Sequence, residues 1–201
     1  IILSNIVRIM EKTIFIKKLT NIRKKNVVLL GHMGSGKTLL AKKIASELKI
    51  AHYDSDQKII ELEKKSISEI FESEGEKYFG KIEEKVVLNL IQKKNIVVSL
   101  GGGSIINKNI RNMIKQSSFS IFLDVNLEKL ESRLSKSKNR PLLKNTNILN
   151  KLKDLDTKRR KYYLDSDAKL QNTGSISKTY MNFIDILSKI NVKNYKFKNK
   201  E

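Results

Sequence analysis

Short apolar runs alternate along this chain with longer stretches whose apolar residues recur at helical spacing. Asn26-Val27-Val28-Leu29-Leu30 is a short, mostly apolar run stopped by Gly31, the pattern of a strand buried on both faces. From Thr38 to Leu48, residues Leu40, Ile44, Ala45 and Leu48 fall on one helix face. Ile50 to Asp54 predicts a second strand, and Gln57 to Lys64 a helix. Ser66-Ile67-Ser68-Glu69 reads as a capping box opening a short helix. Residues 74–93 predict a long helix with Val86, Val87, Leu90 and Ile91 inward. Ile96 to Leu100 predicts a third strand, stopped by Gly101-Gly102-Gly103, and Asn107 is placed to cap a helix reaching Lys115. Ser120 to Val125 predicts the fourth strand, and Asn126 caps the next helix, to about Leu134. A helix over 148–164, a weaker strand from Ala168 to Gln171 and a closing helix from Ser175 to Ile190 complete the series. Strands alternating with helices imply an α/β fold, a parallel sheet covered on both faces.

Three segments stand outside this rhythm. Residues 135–147 are polar, contain Pro141 and predict a mobile surface loop. The tail 191–201 is polar and basic. Residues 1–25 mix Ile with Lys and Arg, and charge at Arg8, Glu11 and Lys17 breaks the apolar runs. That segment reads as a disordered basic extension, with a transit peptide as the alternative. The domain proper is expected over 26–190, which is one domain's worth of chain.

Composition changes this picture little. The absence of cysteine excludes disulfides and thiolate metal sites, and no apolar run reaches the ~18 residues of a membrane span. A cytoplasmic monomer is the expectation. The formal charge of +20 raises the question of nucleic acid. The lysines are spread along the chain without aromatic interleaving, however, and read as solvated faces rather than a specific nucleic-acid surface. Only seven residues are arginine, so the positions that keep a forked, planar guanidinium draw attention.

The chemistry concentrates at strand ends. Gly31-His32-Met33-Gly34-Ser35-Gly36-Lys37-Thr38 fits the P-loop pattern between a strand and a helix. In that motif, backbone N–H groups from Gly34, Ser35, Gly36 and on to Leu39 curl around the phosphates of ATP. Lys37 reaches the β- and γ-phosphates, and the Thr38 hydroxyl meets Mg²⁺. Asp54-Ser55-Asp56 ends the second strand, where ligands gather in an open parallel sheet. By itself it is an ordinary turn or helix cap. After a P-loop, Asp54 is the candidate at the metal and Asp56 the candidate at an acceptor hydroxyl. Gly101-Gly102-Gly103 either lets a ligand approach the main chain or is a plain flexible turn. His32 and His52 read as structural.

P-loop, Asp-x-Asp, Ser99-Leu100-Gly101-Gly102-Gly103 and Arg140-Pro141-Leu142-Leu143, in this order, resemble the shikimate kinases. The likeness runs from about Val27 to about Ile190 and takes in Ile70-Phe71, Glu74-Gly75-Glu76, Phe79 and Ile82-Glu83-Glu84. It implies a three-layer P-loop kinase fold, with a five-stranded sheet in the order 2-3-1-4-5 and a mobile lid. It also implies transfer of the γ-phosphate of ATP to shikimate. By the same resemblance, Asp54 helps hold Mg²⁺, and Asp56 holds the shikimate hydroxyls. Gly101, Gly102 and Gly103 meet the substrate, and Arg159 clamps its carboxylate. Arg133 lies against adenine or phosphate, and Arg140 closes with the lid on the transferred group.

One position departs from the pattern. The family has Phe-Arg before the Ile-Glu-Glu stretch, and that Arg also grips the carboxylate; here the sequence is Phe79-Gly80-Lys81-Ile82-Glu83-Glu84. Lys81 is turned by roughly 100° from Gly80 on a helix and does not substitute. Glu83, expected to hold that Arg, loses its partner. A weakened nucleotide-binding regulatory module, or a kinase with a shifted acceptor, is therefore the competing expectation.

Overall fold

The computed structural model describes residues 2–135, 147–172, 174–190 and 195. Five strands, β1 (Asn26–Leu30), β2 (Ala51–Asp54), β3 (Ile96–Ser99), β4 (Ser118–Asp124) and β5 (Ala168–Gln171), form one parallel sheet in the order β2-β3-β1-β4-β5. Strand β1 sits at the centre and is buried along its whole length. Its side chains alternate between two cores, as the period of a strand requires. Val27 and Leu29 point to one face; Val28 and Leu30 point to the other.

Helices α2 (Lys37–Leu48) and α8 (Ile176–Lys189) cover the first face through Leu40, Ile44, Phe183 and Leu187. Helices α4 (Ile67–Ile91), α5 (Lys108–Ser117) and α7 (Ile148–Leu164) cover the second through Val87, Leu90, Ile110, Ile114 and Tyr163. Helix α3 (Ser55–Glu63) packs on α4 through Ile59, Ile70 and Ile82, and α6 (Leu127–Ser135) meets α7 through Leu130, Leu134 and Leu152. The predicted order, strand number and three layers are all present.

Helix α4 joins the two helices expected before and after residue 74. The Ser66 capping box forms with Glu69, and Gly75 (φ 80°, ψ 174°) kinks the rod. A positive φ favours glycine, so the sequence marks its own bend. Strand β4 begins at Ser118, earlier than predicted, because Ser118 and Phe119 pair with Asn26 and Val27.

The N-terminal expectation is corrected. Residues Ile2–Asn21 form a helix, α1, rather than a disordered extension. Phe15, Leu19 and Ile22 are fully buried in the core shared with β1, α2 and α8. Lys18 Nζ donates to the carbonyls of Ser188 (2.9 Å) and Ile190 (2.6 Å), and Arg8 pairs with Glu47 at 3.2 Å. The spacing 15-19-22 carried this signal, obscured by the charges interleaved with it. The predicted lid at 135–147, apart from its two end residues, and the tail, apart from Tyr195, lie outside the described residues. Among the described residues, no helix is long and apolar enough to cross a membrane.

Candidate active site

The carboxyl ends of β1, β2 and β3 open on one crevice, the place where a sheet wound outward in both directions from its centre gathers ligands. The loop after β1 wraps into α2, which starts at Lys37. Lys37 is buried, and its Nζ donates to the carbonyls of Gly31 (2.7 Å) and His32 (2.8 Å). Two outside residues brace this loop. Asn172, just after β5, donates to Ser35 O at 2.7 Å and itself accepts from Thr179 at 3.1 Å. Arg133, on α6, donates to Gly34 O at 3.1 Å, which places the predicted nucleotide-side arginine on the loop. Leu39 stands 65% exposed in the first turn of α2 and lines the same cleft.

At the end of β2, Asp54 has two tasks. Its Oδ1 caps α3 by accepting from the backbone N–H groups of Asp56 (3.1 Å) and Gln57 (3.2 Å). Its Oδ2 accepts from the hydroxyls of Thr38 (2.7 Å) and Ser99 (2.9 Å). The cap reading of Asp-x-Asp therefore holds for Asp54, and the same side chain also reaches the P-loop hydroxyl of Thr38. The donor set fits Mg²⁺: hydroxyl and carboxylate oxygens at the mouth of a phosphate loop, with room for phosphate and water to complete the shell. Among the described residues, no cluster of three or more His, Cys, Asp or Glu forms an all-protein metal cage.

Opposite lies the glycine ledge. The Gly101 N–H donates to Ser55 Oγ at 2.8 Å, and Gly102 O accepts from Tyr163 OH at 2.7 Å. A Cβ on Gly101 would collide with Asp56 Oδ1 and lie 3.2 Å from Glu83 Oε1, so any larger residue here must displace the Asp56 carboxylate. Arg159 is 8% exposed, and its guanidinium faces the ledge. Its two terminal nitrogens would lie 3.4 and 3.6 Å from Cβ atoms on Gly102 and Gly103. Its Nε is buried without a hydrogen-bond partner. The neighbouring Arg160 turns away to Asp156 (3.3 Å) and Asp124 (3.7 Å). Of the two adjacent arginines, Arg159 is the one at the site.

Between Asp56 and Arg159, Glu83 reaches in from α4. It is buried, and its Oε1 accepts from Ser104 Oγ at 2.6 Å. Burial pushes its carboxyl up to about 7; the Asp56 charge adds to the rise, and Ser104 and Arg159 oppose it. A Cβ at Gly80 would meet nothing within 4 Å, and Lys81 is exposed as its helical angle requires. His32 is buried and its Nε2 meets Asp156 Oδ1 at 2.8 Å, where the carboxylate accepts; desolvation lowers the His32 pKa against that partner.

The cleft between loop and ledge measures about 260 Å³, with Lys37, Thr38, Asp54, Asp56 and Gly102 on its walls. Two larger hollows, about 450 and 590 Å³, border α1 and α8 and contain none of the predicted site residues. Lys37, Thr38, Asp54, Asp56, Gly101–Gly103, Arg133 and Arg159 thus converge, while Arg140 lies outside the described residues. Sequence reasoning did not find Tyr163, Ser99 or Asn172. Tyr163 had a signal, one helical turn beyond Arg159 on the same face; Ser99 stood in the Ser-Leu-Gly-Gly-Gly motif without a role of its own, and Asn172 had no signal.

The sequence matches the shikimate kinase family over residues 33–190. The shikimate kinase of Buchnera aphidicola subsp. Baizongia pistaciae is 40% identical over 142 residues, 70% of this chain and 82% of the relative. A solved shikimate kinase from Acinetobacter baumannii, in complex with shikimate, superimposes with a TM-score of 0.79 at 30% identity, covering 87% of this chain and 99% of that one. The Aquifex aeolicus enzyme gives 0.72 at 34% identity, covering 81% and 96%.

Proposed function

The chain belongs to the shikimate kinase family, and from that premise we propose that it transfers the γ-phosphate of ATP to the 3-hydroxyl of shikimate, a step toward chorismate and the aromatic amino acids. The observation that carries the reading is the convergence of Asp56, Arg159 and the Gly101–Gly103 ledge opposite Lys37.

Phosphoryl transfer asks a protein mainly for positioning and for positive charge where negative charge develops. The backbone N–H groups from Gly34 to Leu39 cradle the phosphates. Lys37 exchanges its two carbonyl partners for phosphate oxygens, and Arg133 adds charge from α6. Thr38 and Asp54 would hold Mg²⁺, which would supply neutralising positive charge for the phosphates. On the other wall, Arg159 receives the shikimate carboxylate through its forked N–H groups. Asp56 accepts a hydrogen bond from the attacking hydroxyl and takes its proton. The new bond joins that oxygen to the γ-phosphorus, and the bridging oxygen leaves on ADP. Arg140 is proposed to close over the transferred group.

The competing reading, a nucleotide-binding module without transfer, rests on Gly80 alone. The intact set of Lys37, Thr38, Asp54, Asp56 and Arg159 argues against it. A coupled ADP-release assay with ATP, Mg²⁺ and shikimate, beside other polyols and hydroxy acids, tests the proposal. Shikimate-dependent ADP release with formation of a phosphate ester is expected. ATP binding without shikimate-dependent release would sink it.

A further inference from the structure

Among the described residues, two carboxyl groups and one guanidinium meet on the acceptor wall, with the Lys37 ammonium across the cleft on the carbonyls of Gly31 and His32. Asp56 from α3 and Glu83 from α4 bring carboxyl oxygens to the same side of Gly101, and Arg159 from α7 faces them. The other charged residues near Glu83 on its own helix point elsewhere: Lys81 is exposed, and Glu84 accepts from Asn107 and Asn109, each at 2.7 Å. At position 80 the space is open and holds no side chain. On that wall itself two ionised carboxylates stand beside one arginine, and an anionic acceptor adds a third negative charge inside a cleft where water is partly excluded. Like charges brought together in such a site drive one carboxyl to its neutral form.

Burial decides which one. Glu83 is 8% exposed with a single hydroxyl partner, whereas Asp56 is half-buried at the cleft wall. We propose that Glu83 carries a proton in the acceptor complex, so that binding of the anionic hydroxy acid draws a proton from solvent, and that glycine at position 80 is what makes binding proton-linked. The inference rests on the proposed shikimate site and adds to it a charge-compensating residue. The free protein stands near the balance point, with the Glu83 carboxyl already raised to about 7 and the acceptor anion pushing it further in the same direction. A guanidinium at position 80 would reverse the sign by holding Glu83 ionised.

Titration calorimetry of shikimate into the wild-type protein at pH 7.5, in phosphate and in Tris, counts the protons exchanged. The expected result is uptake of about half a proton or more, with the acceptor KM rising up to about tenfold per pH unit above neutrality while the ATP KM stays flat. Glu83→Gln, neutral and of the same shape, is expected to bind with uptake near zero and a flat acceptor KM. Gly80→Arg is expected to lose the uptake as well. If that variant fails to fold, Glu83→Gln decides alone. Shikimate binding and turnover with the same proton count in wild type and Glu83→Gln overturns this inference and leaves the kinase reading standing. Neither binding heat nor turnover with shikimate overturns both.

Discussion

Thr38 and Asp54 meet through a 2.7 Å hydrogen bond that joins the first turn of α2 to the end of β2. The same carboxylate caps α3, so a crude deletion there mixes two effects. Asn caps a helix about as well as Asp, which makes Asp54→Asn the informative change. It is expected to raise the Mg²⁺ concentration needed for half-maximal activity by about tenfold or more, with little loss of melting temperature. An unchanged Mg²⁺ titration would remove Asp54 from the metal site.

At the ledge, Gly101 and Gly103 make opposite predictions. An alanine Cβ at 101 would collide with Asp56 and press on Glu83, whereas one at 103 would sit 3.6 Å from Arg159, an ordinary contact. Gly101→Ala is expected to lose about 1–3 kcal/mol of stability through overpacking, and Gly103→Ala to stay within about 0.5 kcal/mol of wild type. Denaturant melts of the pair check the difference.

Gly80→Arg is expected to raise kcat/KM for shikimate tenfold or more. The space beside Gly80 is free, Glu83 lies one turn along the helix to receive a guanidinium, and a helix-interior glycine is relieved. A charge-assisted contact to a carboxylate contributes roughly 2–3 kcal/mol, enough for that gain. Steady-state kinetics without improvement would mean that the acceptor carboxylate is held some other way.

Glu83 also sets a pH dependence of stability. Its folded pKa, about 7, lies above the ordinary 4.5, so the folded state binds this proton more tightly than the unfolded chain. The contribution is full below pH 4.5 and is lost as pH rises through 7, on the order of 3 kcal/mol over that interval. Urea unfolding at pH 5 and pH 8 is expected to show this loss in wild type and a flatter profile in Glu83→Gln. Parallel profiles would contradict the assignment.

Helix α1 is part of the folded unit on this reading, and Phe15 is its anchor. Fully buried among Leu19, Leu40, Ile44 and Phe183, it is expected to cost about 3–5 kcal/mol when cut to alanine. A melting temperature within a degree of wild type would mean that α1 does not dock in solution.

The sheet was legible in the sequence because buried parallel strands are continuous apolar runs, as in β1 and β3, each ending in glycine. The nucleotide side was legible because a P-loop ties chemistry to fixed local spacing. What escaped depended on tertiary contact. Phe15, Leu19 and Ile22 hold helical spacing, but lysines between them masked a face that only α2 and α8 complete. Ser99 and Asn172 reach the site through hydrogen bonds to residues 45 and 137 positions away, a relationship no local pattern encodes. Arg159 rather than Arg160 was legible only through the family resemblance; in the fold it is Arg159 whose guanidinium faces Gly102, while Arg160 pairs with Asp156 and Asp124.

Tyr163 stacks on Phe122 at 5.0 Å, sets its edge against His32 at 5.0 Å and hands its hydroxyl to Gly102. One aromatic ring therefore touches a strand, the phosphate loop and the glycine ledge. A repacking at Phe122, deep in the sheet, would register as a change in acceptor affinity before any loss of fold became visible. Variants selected for tighter substrate grip need not lie in the cleft at all.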